Sequence, residues 1–167
     1  ADPHPIVSTL SEPYGAKGWW PCKESLSDKI DSLDVVVTVK KGNKAASNGI
    51  LIVEKQINDS QELYHWRHRY PIATYLVGVA VTNYVVYNDY VVYPGKDTMP
   101  IVNYVYPESE AEFRTKSPAT AKFMHLFDSL FGEYPFKKEK YGHAQWNWGG
   151  GMEHQTMSFM VNFNFDL

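Results

Sequence analysis

IVNYVYPESEAEFRTKSPATAKFMHLFDSLF, residues 101–131, changes its period at Pro107, and that change sets the fold class. Ahead of the proline, Ile101–Tyr106 is β-branched and aromatic, a strand pattern. Beyond it, Glu108–Lys116 is rich in helix formers and carries acids in its first turn, where the helix dipole favours them. Ser117–Pro118 predicts an N-cap followed by proline at the first helical position. Phe123, Phe127, Leu130 and Phe131 fall at i, i+4, i+7 and i+8, one apolar face of a helix. Gly132 supplies the stop, and Tyr134–Pro135 prevents continuation.

Upstream, the chain reads as successive strands. Leu33–Val39 is a β-branched run stopped by Lys40–Lys41–Gly42–Asn43. Ile50–Gln56 follows Asn48–Gly49, a dipeptide suited to a tight hairpin turn. In Glu62–Tyr70, Tyr64, Trp66, His68 and Tyr70 share one face, and His65, Arg67 and Arg69 the other. Ile72–Asn88 is a long apolar stretch in which Gly78 predicts a bulge or a close backbone approach. Tyr90–Tyr93 and Ile101–Tyr106 form a hairpin pattern across Pro94–Asp97. A short strand is expected near Lys140–Trp146, and a last run over Thr156–Phe163. Strands followed by helices predict an α+β chain: an antiparallel β-sandwich-like segment, then a mixed helical and strand segment. The boundary is expected at residues 107–108, giving segments 1–107 and 108–167.

Composition narrows the function classes. A chain of 167 residues has the length of one domain and buries about two thirds of its unfolded surface on folding. Sixteen Lys+Arg against 19 Asp+Glu, a formal net charge of −3, argue against a nucleic-acid partner, which is held mainly by clustered cations. Aromatics at 15% supply enough apolar surface to offset the ordering entropy, so disorder is not expected. One cysteine, Cys22, excludes an internal disulfide framework and a multi-cysteine zinc site. The longest apolar runs, such as Tyr75–Val81, fall short of a membrane span, and the first residues do not read as a signal peptide. The compartment stays open between cytoplasm and periplasm or secretion.

The stretch richest in chemistry is Trp148–Gly149–Gly150–Gly151–Met152–Glu153–His154. Three consecutive glycines let the backbone approach a ligand closely. A carboxylate and an imidazole placed directly after them suit amine binding or proton transfer. Read as residues alone, the stretch is equally a glycine-rich connector with polar ends.

Gly150–Gly151–Met152–Glu153–His154 resembles the Gly-x-Met-Glu-Asn exopeptidase motif of the M1 family of zinc aminopeptidases. Three further segments agree in order and spacing with that family: Ser11–Glu12 through Trp19–Trp20–Pro21–Cys22, Thr74–Tyr75–Leu76–Val77, and the Ser117–Phe131 helix with Gly132–Phe136 after it. The resemblance implies the latter part of an N-terminal β domain joined to the start of a thermolysin-like catalytic domain. It implies that Glu153 binds the free α-amino group of a peptide substrate and that the backbone at Gly150 and Gly151 lines it. Met152 and His154 sit beside them, and Glu12 reaches into the first specificity pocket. His154 stands where the family has Asn, adding a titratable group, and Tyr14–Gly18 departs from the commoner versions of its segment.

The family's zinc ligands, a His-Glu-x-x-His helix and a later glutamate, have no counterpart here. His65 and His68, three apart on a strand pattern, point to opposite faces. The resemblance therefore implies Zn2+ in a longer parent polypeptide, a peptide with a free N-terminus as substrate, and a chain that by itself is inactive. The apolar run to Leu167 predicts a cut inside a folded unit, with apolar surface exposed over residues 156–167. The alternative is a non-catalytic β-sandwich module binding peptide or carbohydrate through aromatic platforms such as Trp19, Trp20, Trp66, Tyr84, Tyr87, Tyr90, Trp146 and Trp148.

Overall fold

The computed structural model describes residues 5–162. In chain order its strands and helices are β1 (Val7–Ser8), β2 (Leu33–Lys40), β3 (Lys44–Ser47), β4 (Ile50–Asn58), β5 (Gln61–His68), β6 (Val79–Thr82), β7 (Val85–Val92), β8 (Thr98–Val105), α1 (Glu110–Lys116), α2 (Ala119–Phe131), β9 (Tyr141–Gln145), β10 (Gly151–Met152) and β11 (Ser158–Met160). They form two three-stranded antiparallel sheets, β1-β6-β3 and β2-β5-β4, and a five-stranded mixed sheet, β10-β11-β9-β8-β7. In the mixed sheet β7–β8 is the expected hairpin, and β8, β9 and β11 run parallel. The α+β class is as expected.

Alternation explains the sandwich-like part. Val35, Val37 and Val39 of β2 turn inward while Asp34, Val36, Thr38 and Lys40 face out. Tyr64, Trp66 and His68 of β5 are all buried, and Tyr70 lies beyond the strand's end. One apolar core takes residues from all three sheets, among them Val39, Ala46, Trp66, Ala80, Tyr104, Trp146, Met152 and Phe159. Full burial of each large side chain there contributes roughly 1.5–3 kcal/mol.

Several local expectations change. Asn48–Gly49 does not close a hairpin: it carries the chain from β3 in one sheet to β4 in another. Gly49 has φ +77, and a Cβ there would lie 2.1 Å from the Arg67 carbonyl oxygen. The apolar stretch Ile72–Asn88 is divided among a 3-10 turn at Thr74–Leu76 ahead of Gly78, β6 and the start of β7. Ser117 is not a side-chain N-cap; its N–H donates to the Phe113 carbonyl (2.8 Å) and its Oγ accepts from the Tyr87 hydroxyl (3.1 Å). The buried hydroxyl finds its partner in the core rather than at the helix end.

On α2 the buried residues are Thr120 and Met124, and Met124 packs with Ala121 against Val91, Tyr93, Met99 and Ile101. Phe127, Leu130 and Phe131 are 51%, 62% and 81% exposed, so most of the apolar face read from the sequence lies uncovered among the described residues. Thr156, Met157 and Phe159 are buried, so residues 156–162 do not form the expected exposed apolar surface, whereas α2 exposes an apolar face. Residues 163–167, the end of the apolar run, lie outside the described residues, as does His4. Hydrogen bonds between β8 and β9 join the chain on both sides of residue 107 into one sheet. No helix among the described residues is long and apolar enough to cross a membrane.

Candidate functional site

The glycine loop leaves β9 and returns as β10, at the edge of the five-stranded sheet. Residues 147–151 are exposed, and only Gly150 among the three glycines needs positive φ (+82). The Gly150 carbonyl accepts from the Val161 N–H (3.1 Å) and the Trp146 indole N–H (3.4 Å), which folds the loop back onto β11. Gly151 and Met152 pair with Met160 and Phe159, leaving the other side of β10 without a strand among the described residues. A Cβ on Gly149 or Gly150 would meet nothing within 4 Å, so this rim is open space. Met152 is buried in the core. Glu153 is exposed and has no hydrogen-bond or ion-pair partner among the described residues.

Immediately after Glu153 the chain is locked. His154 is 2% exposed, its ring 4.2 Å from that of Phe159 between centroids. A Cβ on Gly78 would fall 2.6 Å from the same ring, so Gly78 is indeed a close approach, made by a side chain rather than a strand bulge. Burial pushes the imidazole down to about 4, so it is neutral at neutral pH and does not titrate there. Asn48 ties the segment down: its amide N–H groups donate to the Leu76 (2.9 Å) and Gln155 (2.6 Å) carbonyls, and its Oδ1 accepts from the Gly78 N–H (2.9 Å). Thr156 holds φ +67, unusual for a β-branched residue. Its Oγ1 accepts from the Gly49 N–H (2.8 Å) and its carbonyl from Lys140 Nζ (2.9 Å). Burial lowers Lys140 to about 7, against a smaller opposing effect of Glu139.

Glu12 is exposed on a loop with φ +42 at Glu12 and +70 at Tyr14. The loop is closed by a Gly15 N–H bond to the Glu12 carbonyl (3.2 Å) and anchored by the Trp19 indole N–H on Ser11 Oγ (2.8 Å). Two residues before Ser11, the Thr9 N–H donates to the Val79 carbonyl (3.0 Å). Gly78–Val79 thus touches both the segment leading to Glu12 and the ring that follows Glu153.

Reading residues alone missed the support of this loop. Gln155 carries no pattern, Asn48 reads only as half of a turn dipeptide, and Glu139–Lys140 ends a charge-rich run that resembles a solvated turn. Glu139 instead binds His68 Nδ1 (2.5 Å) and the Arg69 N–H (2.7 Å), while Gln155 donates to His68 Nε2 (2.8 Å). His65 faces the other way and pairs with Asp34 (2.7 Å), whose carboxyl is held well below the usual range by Arg69 and then His65. No group of three or more His, Cys, Asp or Glu among the described residues is placed to hold a metal ion, so the described residues do not fit a zinc site. A cleft of about 360 Å3 between β4 and β8, lined by Trp66, Val102, Tyr104 and Lys140, does not include the glycine loop. Of the aromatics suited to a sugar platform, Trp66, Tyr84, Tyr87 and Trp146 are buried in cores.

Buried neutral histidines make stability pH-dependent. His143, bonded to Asn103 Oδ1 (2.8 Å), is pushed down to about 3 by burial and then by Lys140; His154 is at about 4. The unfolded chain takes up these protons below about 6.5, before the folded chain does. Stability is therefore full above that pH and falls as pH drops toward the folded values. A loss of roughly 2 kcal/mol per histidine is expected by pH 5. Denaturant midpoints measured from pH 7.5 to 4.5 test this; a flat profile contradicts it.

The fold is that of part of the M1 zinc metallopeptidases. The M1 zinc metallopeptidase from Deinococcus radiodurans, in a substituted form bound to a Tyr-Ser-Ala substrate, aligns with a TM-score of 0.77 at 24% identity, over 96% of this chain and 37% of that one. A second structure of the Deinococcus enzyme gives 0.75 at 24% identity, over 93% and 35%. Legionella pneumophila aminopeptidase A, in complex with aspartic acid, gives 0.77 at 17% identity, over 93% of this chain and 18% of that one. The chain thus spans little more than a third of the length of the Deinococcus enzyme and under a fifth of the Legionella one. No protein-family model and no curated protein sequence matches it.

Proposed function

We propose that this chain, with the fold of the M1 zinc metallopeptidases, is the amine-recognising part of a zinc aminopeptidase that removes N-terminal residues from peptides. The observation that carries the reading is Glu153: an exposed carboxylate, without a partner among the described residues, between the edge strand Gly151–Met152 and a locked buried segment. An extended peptide adds alongside β10, where Gly150 and Gly151 place no side chain in its way. Its terminal ammonium pairs with Glu153, and with Glu12 from the loop beyond Val79. Because internal residues have no amine, the pair selects chain ends and sets the distance to the scissile bond.

Zinc, when bound by residues of the parent outside this chain, supplies the polarised carbonyl and the activated water. The 167 residues alone are expected neither to hold it nor to hydrolyse peptides. We place the seam between the β domain and the catalytic domain near Asn83–Tyr84, between β6 and β7, because β7 and β8 share a sheet with β9 and β11.

The test compares an aminoacyl chromogenic substrate with its N-acetylated form in the full-length enzyme, and assays the 167-residue chain alone with added zinc. The free amine should be strongly preferred and the isolated chain inert. Equal rates on both substrates, or zinc-dependent turnover by the chain alone, overturn the reading.

A further inference from the structure

A carboxylate that selects an amine must be held to within about half an ångström of its working position. Glu153 makes no bond among the described residues that would do this, so the constraint comes through the backbone from its neighbours. On its N-terminal side, Met152 is buried and paired with Phe159, and the stretch Asn147–Gly151 beyond it is exposed and glycine-rich. On its C-terminal side stands His154, whose ring lies against Phe159 (4.2 Å) and, edge-on, near Trp146 (6.5 Å). The third wall is Gly78, where even a methyl group would come within 2.6 Å of the ring. The imidazole fills the volume that glycine leaves empty.

Neither ring nitrogen of His154 has a hydrogen-bond partner among the described residues. A buried polar ring without partners costs stability that an apolar side chain would not. The ring is therefore held by shape, and burying it there costs stability that calls for a reason. Its surroundings form a rigid receptor. The Gln155 N–H donates to the Leu76 carbonyl (3.2 Å), the Met157 N–H to the His154 carbonyl (2.9 Å), and Asn48 bridges Leu76, Gln155 and Gly78. Receptor and wedge belong to one hydrogen-bonded frame, and Glu153 is the first residue outside it.

We propose that His154 is a positioning residue: its ring, wedged between Gly78 and Phe159, fixes the direction in which Glu153 presents its carboxylate and so sets selectivity for a free α-amine. The inference rests on Glu153 being the amine site. The wedge acts by volume, so another planar ring can replace it and a small side chain cannot.

The test uses His154→Ala, His154→Phe, Gly78→Ala and the double variant Gly78→Ala/His154→Ala in the full-length enzyme. His154→Ala should raise KM for free-amine substrates about tenfold with kcat changed less than about threefold, and His154→Phe should restore KM. Gly78→Ala should lower the melting temperature by displacing the ring, and the double variant should recover it while KM stays high. If KM simply follows melting temperature across the series, the role is structural and the proposal falls. In the 167-residue chain, amide exchange at residues 150–153 should quicken in His154→Ala and not in His154→Phe. Unchanged exchange in His154→Ala overturns the wedge. Absence of any free-amine preference in the unaltered enzyme overturns the reading of Glu153 instead, and is seen without any variant.

Discussion

Replacing Glu153 by Gln in the full-length enzyme is expected to lower kcat/KM for free-amine peptides by about 30- to 1,000-fold, or about 2–4 kcal/mol. Glutamine keeps the shape and one acceptor but removes the charge, and the ammonium then loses its ionic partner on entering the cleft. The same change should leave rates on N-acetylated substrates nearly untouched, since those carry no ammonium. Stability should change by less than about 0.5 kcal/mol, because the carboxylate is exposed and bonds to nothing among the described residues. The separation is the point of the experiment: activity moves while melting does not. An unchanged ratio of free-amine to acetylated rates would show that Glu153 is not the amine site.

Gly49→Ala should cost about 4 kcal/mol or more and leave little folded protein. Two effects coincide there. The residue holds φ +77, which a Cβ makes unfavourable, and the Cβ would lie 2.1 Å from the Arg67 carbonyl oxygen and 2.8 Å from the His68 Cα. Both neighbours are backbone of β5, so relief requires moving the strand that carries Trp66 and His68. The Gly49 N–H would also leave Thr156 Oγ1, loosening the segment after Glu153. Gly42→Ala is the control: φ there is +91 but nothing lies within 4 Å, so only the conformational cost of about 1 kcal/mol is expected. Urea midpoints distinguish the two; equal losses would mean that the contact with β5 does not matter.

What the residues revealed in advance was local. The alternation of β2 and β5, the β7–β8 hairpin and the breadth of α2 follow from side-chain period, which depends only on neighbours in the chain. Gly150–His154 stood out for the same reason: it is a contiguous signal. Gly78 reads as a close approach, but nothing near it in the chain says that the partner is an imidazole 76 residues later. Ser117 and Asn48–Gly49 were misassigned because their local chemistry fits a cap and a hairpin, while buried partners in other elements decided otherwise.

The sequence by itself determined the α+β class and the succession of strands before helices, and it singled out Gly150–His154 as a candidate site, because each is written in short-range periodicity and composition. Tertiary structure alone decided that β7–β9 and β11 form one sheet across residue 107, that the exposed apolar face lies on α2, and that Glu153 projects from a frame made by Asn48, Gly78, Lys140 and His154. Those residues are distant in the chain and adjacent only in space, so their roles arise from burial and hydrogen bonding that come into being when the sheets pack.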